Sequence, residues 1–337
     1  MKKHINIPIF IPHVGCPNAC VFCNQRKISG HLRFEKNAVR DELERAFSTV
    51  DGSLPTQIAY FGGSFTGIAR DDMVDLLRIA NEYIDSGRCE SVRISTRPDY
   101  IDREILEILR RYRVSAVELG IQSTDDGVLR TCMRGHTAED SFRAAALIKE
   151  YGFELIGQMM VGLPGGAAEN ERRTAEDICR MGADGARIYP TVVFSETALA
   201  DMTESGSYSP LTEETSVIRA ANALSVFIEH DVPVIRLGLQ SGEALESGDG
   251  VVAGGYHPAV GELTYARCFR DMLEAALSDK DTRGKCALVR VHPSDVSKVI
   301  GQRGANRDYF IKRFLLKSFR VEADGSAVRN HPTVSII

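Results

Sequence analysis

Residues 5–23 read INIPIFIPHVGCPNACVFC, an apolar run that leads through a short loop into three closely spaced cysteines. The first seven of these residues predict a buried strand, because they form a short and nearly continuous apolar run. Pro12, Gly15 and Pro17 mark the stretch that follows as a loop. A strand whose loop carries reactive side chains is typical of α/β proteins, in which functional residues lie at the ends of strands.

Similar apolar runs recur and alternate with amphipathic segments. The further predicted strands are residues 58–61, 92–95, 116–120, 155–160 and 186–189. The predicted helices are residues 37–49, 71–84, 102–111, 137–151 and 170–181. Thr137 and Asp140 have the spacing of a helix capping box, and Gly152 stands where a C-terminal cap is expected. This alternation predicts a parallel α/β sheet, either open or curved into a full or partial barrel.

The positions of cysteines, glycines and polar residues along the chain distinguish a barrel from an open sheet. A barrel gathers the loops after every strand at one mouth, whereas an open sheet concentrates its ligand site at one switch point. Here cysteines, glycines or polar residues follow nearly every predicted strand. We therefore expect a partial (β/α)6 TIM-like barrel in residues 1–280 and a small basic α/β unit in residues 281–337. A helix at 213–230, a strand-like segment at 234–239 and a Gly/Ser-rich loop at 241–255 are expected to close or cover the barrel.

The composition excludes several classes of protein. The chain has 337 residues, of which 43% are hydrophobic and 26% charged, and a formal net charge of −5. It is therefore neither disordered nor a general polycation. Pro8 and Pro12 interrupt the N-terminal apolar run, so we expect no signal helix and no membrane span. We expect a cytoplasmic protein, in which clustered cysteines indicate metal or redox chemistry.

The C-terminal segment is strongly basic, with ten lysines and arginines and two acidic residues between positions 283 and 320. Two interpretations stay open: a polyanion contact, since neutralising phosphates supplies non-specific nucleic-acid affinity, and a solvated helix face. Within it, the residues GQRG at 301–304 superficially resemble the Gly-x-x-Gly loop of KH RNA-binding modules. Because Arg307 stands where an apolar residue is expected, the sequence favours a helix-turn-helix glycine pair in a basic patch.

The cysteines Cys16, Cys20 and Cys23 have the spacing Cys-x3-Cys-x2-Cys. A structural zinc site would need a fourth ligand, which His13 or His31 could supply. A [4Fe-4S] cluster held by only three cysteines leaves one iron open to another ligand. The residues alone thus point to a Cys3His zinc loop or to an iron–sulfur cluster.

The same spacing, with the aromatic Phe22 before the last cysteine, resembles the signature of the radical S-adenosylmethionine (SAM) superfamily. Gly62 and Gly63, followed by Ser64, come after the next predicted strand and resemble the superfamily's motif for the SAM amino group. The resemblance implies a barrel of the radical SAM type. It also implies two cofactors, a [4Fe-4S] cluster on the three cysteines, which are the expected catalytic residues, and SAM.

Five later motifs narrow this resemblance. They are TRPDY at 96–100, ELGIQS at 118–123, RGHT at 134–137, MMVGLP at 159–164 and RIYPT at 187–191. Over about residues 5–280 the series resembles the radical SAM domain of the Elongator catalytic subunit, a family that modifies the wobble uridine of tRNA. The closer spacing of the first two cysteines departs from that family. The residues after 280 are also too few for its acetyltransferase domain, so we expect a chain without it.

Roles for individual residues follow from the resemblance. Gln122 matches a polar SAM ligand, and Arg134 matches the arginine that pairs with the SAM carboxylate. Ser95 and Gln158 stand where coproporphyrinogen-oxidase-like members place acidic ligands, and an amide binds hydroxyls more weakly than a carboxylate does. For each of these polar residues, capping of a neighbouring helix is the alternative role.

The expected activity is reductive cleavage of SAM to a 5'-deoxyadenosyl radical for tRNA modification, in the class of transferases. Tyr189, Lys298 and Arg303 are the expected substrate contacts. The expected partners are tRNA, a one-electron donor such as flavodoxin or ferredoxin, and a separate acyl-donor protein. Two alternatives remain: a coproporphyrinogen-oxidase-like radical SAM oxidase or transferase acting on a small molecule, and a non-catalytic zinc-loop RNA-binding protein.

Overall fold

The computed structural model describes residues 4–11, 16, 20–24, 35–50, 52–239 and 250–337. The first nine strands in chain order are β1 (Ile5–Ile11), β2 (Thr56–Gly62), β3 (Ser91–Thr96), β4 (Val114–Gln122), β5 (Glu154–Val161), β6 (Gly185–Pro190), β7 (Val192–Phe194), β8 (Val234–Leu237) and β9 (Val251–Gly254). Strands β1 to β6 and β8 lie side by side in that order, all parallel, in a sheet curled into a half-barrel. The predicted partial barrel is confirmed, and the strand-like segment after residue 234 is its seventh strand.

Helices connect these strands. They are α1 (Val39–Phe47), α2 (Arg70–Asp85), α3 (Arg103–Arg111), α4 (Asp126–Thr131), α5 (Ala138–Glu150), α6 (Ala168–Arg180), α7 (Ala198–Glu204), α8 (Glu213–Glu229) and α9 (Val260–Leu277). Short 3-10 turns occur at Lys36–Ala38, Phe65–Gly67 and Pro98–Tyr100. Helix α5 begins at the predicted capping box, in which Thr137 and Asp140 bond each other's backbone. Gly152, with a φ of 79°, follows the end of this helix as predicted.

The two faces of the curled sheet differ in polarity. On β3 and β4, Ile94, Val117 and Leu119 are fully buried in the apolar core beneath the helices. The residues between them, including Arg93 and Glu118, lie on the opposite, inner face, because side chains alternate along a strand. When helices cover both faces of a parallel sheet, the sequence of each strand is an almost continuous apolar run. The buried charges therefore set the inner face apart from an ordinary core.

Strands β7 and β9 form a separate antiparallel pair at the end of the half-barrel. Strand β9 lies within the loop predicted at 241–255, so the last part of that loop is a strand instead. Its backbone pairs with the segment directly after β6, a long-range contact that a Gly-rich sequence does not reveal. Residues 241–249 of the predicted loop lie outside the described residues.

The C-terminal segment forms a three-stranded sheet with its own apolar core. Its strands are β10 (Cys286–Val291), β11 (Ser318–Ala323) and β12 (Thr333–Ile336), and its helices are α10 (Val296–Ile300) and α11 (Ala305–Arg313). Further 3-10 turns lie at Pro293–Asp295 and Gln302–Gly304. Phe269 and Leu273 of α9 contribute to this second core, although they precede the predicted boundary at 280. None of the helices in the described ranges combines the length and apolarity that a membrane crossing requires.

Candidate active site

The segment that carries Cys20 and Cys23 is fixed to two parts of the fold. The Val21 amide donates to the Cys132 carbonyl at 3.2 Å, and the Leu199 amide donates to the Val21 carbonyl at 2.8 Å. The Cys23 amide donates to the Cys20 carbonyl at 3.0 Å, which closes a tight turn. Val21 and Leu199 also share a small apolar cluster. The positions of both cysteines are therefore set by the surrounding fold.

The predicted glycine motif lies at the carboxyl end of β2, beside the end of β1. The Gly63 amide donates to the Ile11 carbonyl at 2.7 Å. Gly62 has a φ of 105°, and a Cβ at this position would approach the Ile11 oxygen to 3.0 Å. Only glycine fits there without displacing the first strand. The backbone amide of the next residue, Ser64, hydrogen-bonds Cys16.

The Ser64 side chain belongs to a buried chain of hydroxyl groups. Its Oγ lies 2.8 Å from the Thr96 Oγ1, which lies 2.6 Å from the Thr66 Oγ1. Thr66 in turn donates to the Tyr100 carbonyl at 2.8 Å. This chain ties the end of β2 to the end of β3, so it fixes the Ser64 backbone that faces Cys16.

Arg134 connects the cysteine segment to the carboxyl end of β4, the central strand of the sheet. Its guanidinium donates from Nη1 to the Cys20 Sγ at 3.3 Å and from Nη2 to the Gly120 carbonyl at 2.6 Å. The side chain is buried, with 8% of the residue exposed. A Cβ at Gly120 would lie 3.0 Å from Nη2, so the glycine leaves the room that this arginine needs.

Arg97 is a second buried arginine at this site, and no role was predicted for it from the sequence. Its guanidinium makes a bidentate pair with Asp99, at 2.9 and 2.7 Å. Its Nη1 is buried without a hydrogen-bond partner among the described residues. Arg97 also interacts electrostatically with Cys16 and Cys20. Its position could have indicated a role, because Arg97 comes directly after the third strand and two residues before its acidic partner Asp99.

The electrostatic environment of Cys16 is mixed. Burial raises the pKa of its thiol, whereas the Ser64 amide and the Arg134 and Arg97 guanidinium groups oppose that rise. The nearby Cys20 raises it further. The effect of burial outweighs these donors and charges, so the pKa of the Cys16 thiol lies above its ordinary value.

Gln122 stands at an irregular point of β4. The register between β4 and β5 shifts there, and Gln122 has a φ of 65°. Its Oε1 is buried and has no hydrogen-bond partner within the described ranges. Strained backbone at a strand end and an unsatisfied buried oxygen are both features of ligand sites. His136 lies beside it, 3.2 Å from the Ile121 carbonyl, and burial lowers the pKa of this imidazole to about 4.

Gln158 and Ser95 meet on the inner face of the half-barrel. The Gln158 Nε2 donates to the Glu118 Oε2 at 3.1 Å and lies 3.4 Å from the Ser95 Oγ. Glu118 is fully buried. An amide at position 158 donates to this carboxylate, whereas a second carboxylate would repel it. The neighbouring Glu118 therefore gives a physical reason for glutamine at this position.

Glu118 is the centre of a buried charge network deeper in the half-barrel. Arg187 donates to its Oε1 at 2.7 Å, and Arg93 lies 3.4 Å from the same oxygen. Arg93 also pairs with Glu154 at 2.8 Å. The predicted substrate residue Tyr189 accepts from Arg187 at 3.2 Å, and burial raises the pKa of its hydroxyl. No role was predicted for Arg93, Glu118 or Arg187, since a charged residue on a strand does not reveal which face of the sheet is enclosed.

The remaining predicted residues lie elsewhere. Phe22 packs against the apolar cluster around Val21. Lys298 bonds Asp295 at 3.0 Å and covers the Tyr265 ring, and Arg303 is exposed on the C-terminal unit. In the described parts of the chain, neither makes a hydrogen bond or ion pair to the half-barrel.

The alternative zinc site lies partly outside the described residues. Its candidate fourth ligands, His13 and His31, lie outside the described residues. Among the residues that are described, no three His, Cys, Asp or Glu side chains are grouped as ligands of one metal ion.

Comparison with known families gives two matches. The family model for the Radical SAM superfamily matches residues 10–178, which is half of the chain. A second model, for the Radical_SAM C-terminal domain, matches residues 183–268. Together the two matches include the cysteine segment, most of the half-barrel and part of helix α9.

Similar curated proteins include tRNA-modifying enzymes. The tRNA uridine(34) acetyltransferase of Methanocaldococcus infernus is 31% identical over 157 residues, covering 43% of this chain and 29% of that protein. Elongator complex protein 3 of Saccharomyces cerevisiae is 27% identical over 286 residues, covering 70% of this chain and 51% of that protein. The chain thus matches about half or less of the length of each of these relatives.

A solved structure shares the fold. The chain is similar to the archaeal Methanocaldococcus infernus Elp3 with an N-terminal deletion, at a TM-score of 0.62 and 21% identity. The similarity covers 82% of this chain and 64% of that one.

Proposed function

The chain belongs to the radical SAM superfamily, and from that premise we propose that Cys16, Cys20 and Cys23 hold its [4Fe-4S] cluster. Enzymes of this superfamily use such a cluster together with SAM. The observation that carries the proposal is the surroundings of the sulfurs. Arg134 donates to the Cys20 Sγ, and the Ser64 amide hydrogen-bonds Cys16.

These donors fit an iron–sulfur cluster. A cluster bound by three thiolates is anionic, and hydrogen bonds to its sulfurs help to set its reduction potential. Two buried guanidinium groups, those of Arg97 and Arg134, supply positive charge within reach of the cysteines. A site built only for packing would not bury two arginines next to the thiols of Cys16 and Cys20.

The neighbouring polar residues fit SAM. The Arg97 Nη1 and the Gln122 Oε1 are a buried donor and acceptor without partners in the described residues, and SAM carries both a carboxylate and an amino group. Gln158 and Ser95 offer an amide and a hydroxyl on the inner face. We therefore propose that Gly62, Gly63, Ser64 and Gln122 hold the methionine part of SAM with Arg134, and that Ser95 and Gln158 contact its ribose.

A reduced [4Fe-4S] cluster held by Cys16, Cys20 and Cys23 would supply the electron for cleavage of SAM to methionine and a 5'-deoxyadenosyl radical. The chain's own contribution is to hold the reacting parts and to exclude competing reactions. Arg134 orients the cluster-bearing segment against the carboxyl end of β4, and the Glu118 network keeps the inner face rigid and polar. Tyr189, near the end of β6, is positioned by Arg187 to face a substrate inside the half-barrel.

We propose that the substrate is tRNA and that a uridine is the modified base. Two kinds of relative named for tRNA uridine modification or for Elongator support this proposal. The basic C-terminal unit supports it independently, since ten lysines and arginines lie between residues 283 and 320. The electron donor and any separate acyl-donor protein belong to the same proposal.

The cluster assignment is tested with two cysteine variants. Protein reconstituted without oxygen should hold about four irons with matching sulfide per chain, and Cys20→Ala should lose most of both. Cys132→Ala is the matched control, because Cys132 is fully buried beside Cys20 but lies outside the motif. It should keep the cluster. A Cys20→Ala protein that retains the full iron and sulfide content would contradict the assignment.

A further inference from the structure

In the C-terminal unit, two helices and a loop with two glycines connect two parallel strands. Strands β10 and β11 pair in parallel, and helix α10, the residues GQRG at 301–304 and helix α11 lie between them. The predicted pair of helices around the glycines is thus present, flanked on both sides by strands of one sheet. Both helices pack against β11, so the loop between them stands at one end of the unit.

The two glycines give this loop its shape. Gly301 has a φ of 74° and a ψ of 164°, a conformation open essentially only to glycine. A Cβ there would lie 3.1 Å from the Asn306 amide nitrogen. Gly304 has a φ of 79° and leads directly into the first turn of α11. A side chain at either position would displace Asn306 or Arg307, so the two glycines keep the loop compact.

The loop is held rigidly by one buried residue. Asn306, 5% exposed, donates to the Ala266 carbonyl at 2.7 Å and to the Val299 carbonyl at 3.2 Å. These bonds join the start of α11 to both α9 and α10. Asn306, rather than Arg307, occupies the inward position, which leaves Arg307 exposed next to Gly304. Arg307, which disfavoured a KH-like loop in the sequence, therefore lies on the outside of the C-terminal unit.

The charges around the loop are available to a ligand. Arg303, at the centre of the loop, is exposed and has no ion pair with a described residue. Arg307 has only a 3.4 Å contact to the exposed Asp308. The first-turn amides of α11, a helix of nine residues, add partial positive charge at the same end. The loop thus presents two exposed guanidinium groups beside the positive end of a helix.

We propose that the GQRG loop is a clamp for the phosphodiester backbone of single-stranded nucleic acid. Phosphates would accept from Arg303 and Arg307 at the positive end of α11, in the manner of a Gly-x-x-Gly loop. The clamp reads backbone rather than bases. Tyr309, the nearest candidate for base stacking, has its ring covered by Arg270 and its hydroxyl bonded to Glu274 at 2.8 Å.

This inference concerns binding and stands whether or not the proposed radical chemistry is correct. It is tested on the full chain by fluorescence anisotropy with a labelled oligouridylate of about ten nucleotides, longer than the roughly four that such a loop clamps. Arg303→Asp should weaken binding by about tenfold or more, because it places a carboxylate against the phosphates. Aspartate tolerates the φ of 53° at this position, so the fold should persist.

Arg283→Asp is the matched control. Arg283 is exposed and without an ion pair among the described residues, and the adjacent Thr282 and Gly284 bond the Phe314 and Leu315 carbonyls, at the far end of α11. It has the same change of charge, and we expect less than about a threefold effect from it. Equal losses in the two variants would overturn the clamp in favour of a diffuse basic surface, and no loss in Arg303→Asp would overturn it outright. Arg303→Asn, which removes the charge without reversing it, should fall between wild type and Arg303→Asp.

Discussion

The half-barrel and the C-terminal unit use basic side chains in opposite ways. In the half-barrel, Arg93, Arg134 and Arg187 are largely enclosed and each is bonded to fixed partners. In the C-terminal unit, Arg303, Lys312 and other cations are exposed and have no ion pair with any described residue. The first arrangement suits a small ligand held in one geometry. The second suits a long polyanion whose phosphates replace solvent.

The energetics of the two regions should differ accordingly. A buried ion pair adds little to the free energy of unfolding compared with an apolar pair. Removing one partner, however, leaves an uncompensated buried charge that destabilises the fold. An exposed pair contributes little in either direction, because water and salt screen it. Charge changes in the half-barrel should therefore affect folding first, whereas charge changes in the C-terminal unit should affect binding alone.

The largest effect is expected from Glu118→Gln. This change leaves Arg93 and Arg187 without their shared carboxylate, and we expect a loss of about 3–5 kcal/mol in the free energy of unfolding. Urea denaturation followed by circular dichroism measures it. The control is Glu322→Gln on the exposed Arg290–Glu322 pair, which should leave stability unchanged within error. Similar losses in both variants would break the distinction between the two regions.

A smaller effect, dependent on pH, is expected at His136. Its folded pKa of about 4 lies below the ordinary value of 6.5, so only the unfolded chain gains a proton as the pH falls below 6.5. Stability should therefore decrease by up to about 3 kcal/mol between pH 6.5 and pH 4, and should not depend on this group above pH 6.5. His136→Gln should reduce that decrease in urea titrations at successive pH values. The same substitution at the exposed His331 should not, and a wild-type slope in His136→Gln would show that other groups cause it.

Most of the fold could be predicted from the sequence. Apolar residues recur with the period of a strand on the outer face of each strand, and with the period of a helix on the inner face of each helix. Thr137 and Asp140 marked a helix start correctly because capping depends on local chemistry. The pairing of β7 with β9 and the inner network around Glu118 were missed because both depend on contacts between distant segments. Arg97 was missed as a site residue for the same reason: its closeness to the cysteines exists only after folding.

The central claim is that the half-barrel performs SAM chemistry on RNA. The most direct test measures 5'-deoxyadenosine formation by reconstituted protein, with reductant and SAM, with and without tRNA from a strain that lacks this gene. The account predicts that 5'-deoxyadenosine forms and that this tRNA increases its rate, whereas fully modified tRNA does not. Formation at the same rate with either tRNA or none would contradict the RNA substrate, and the absence of any 5'-deoxyadenosine from cluster-loaded protein would contradict the SAM chemistry itself.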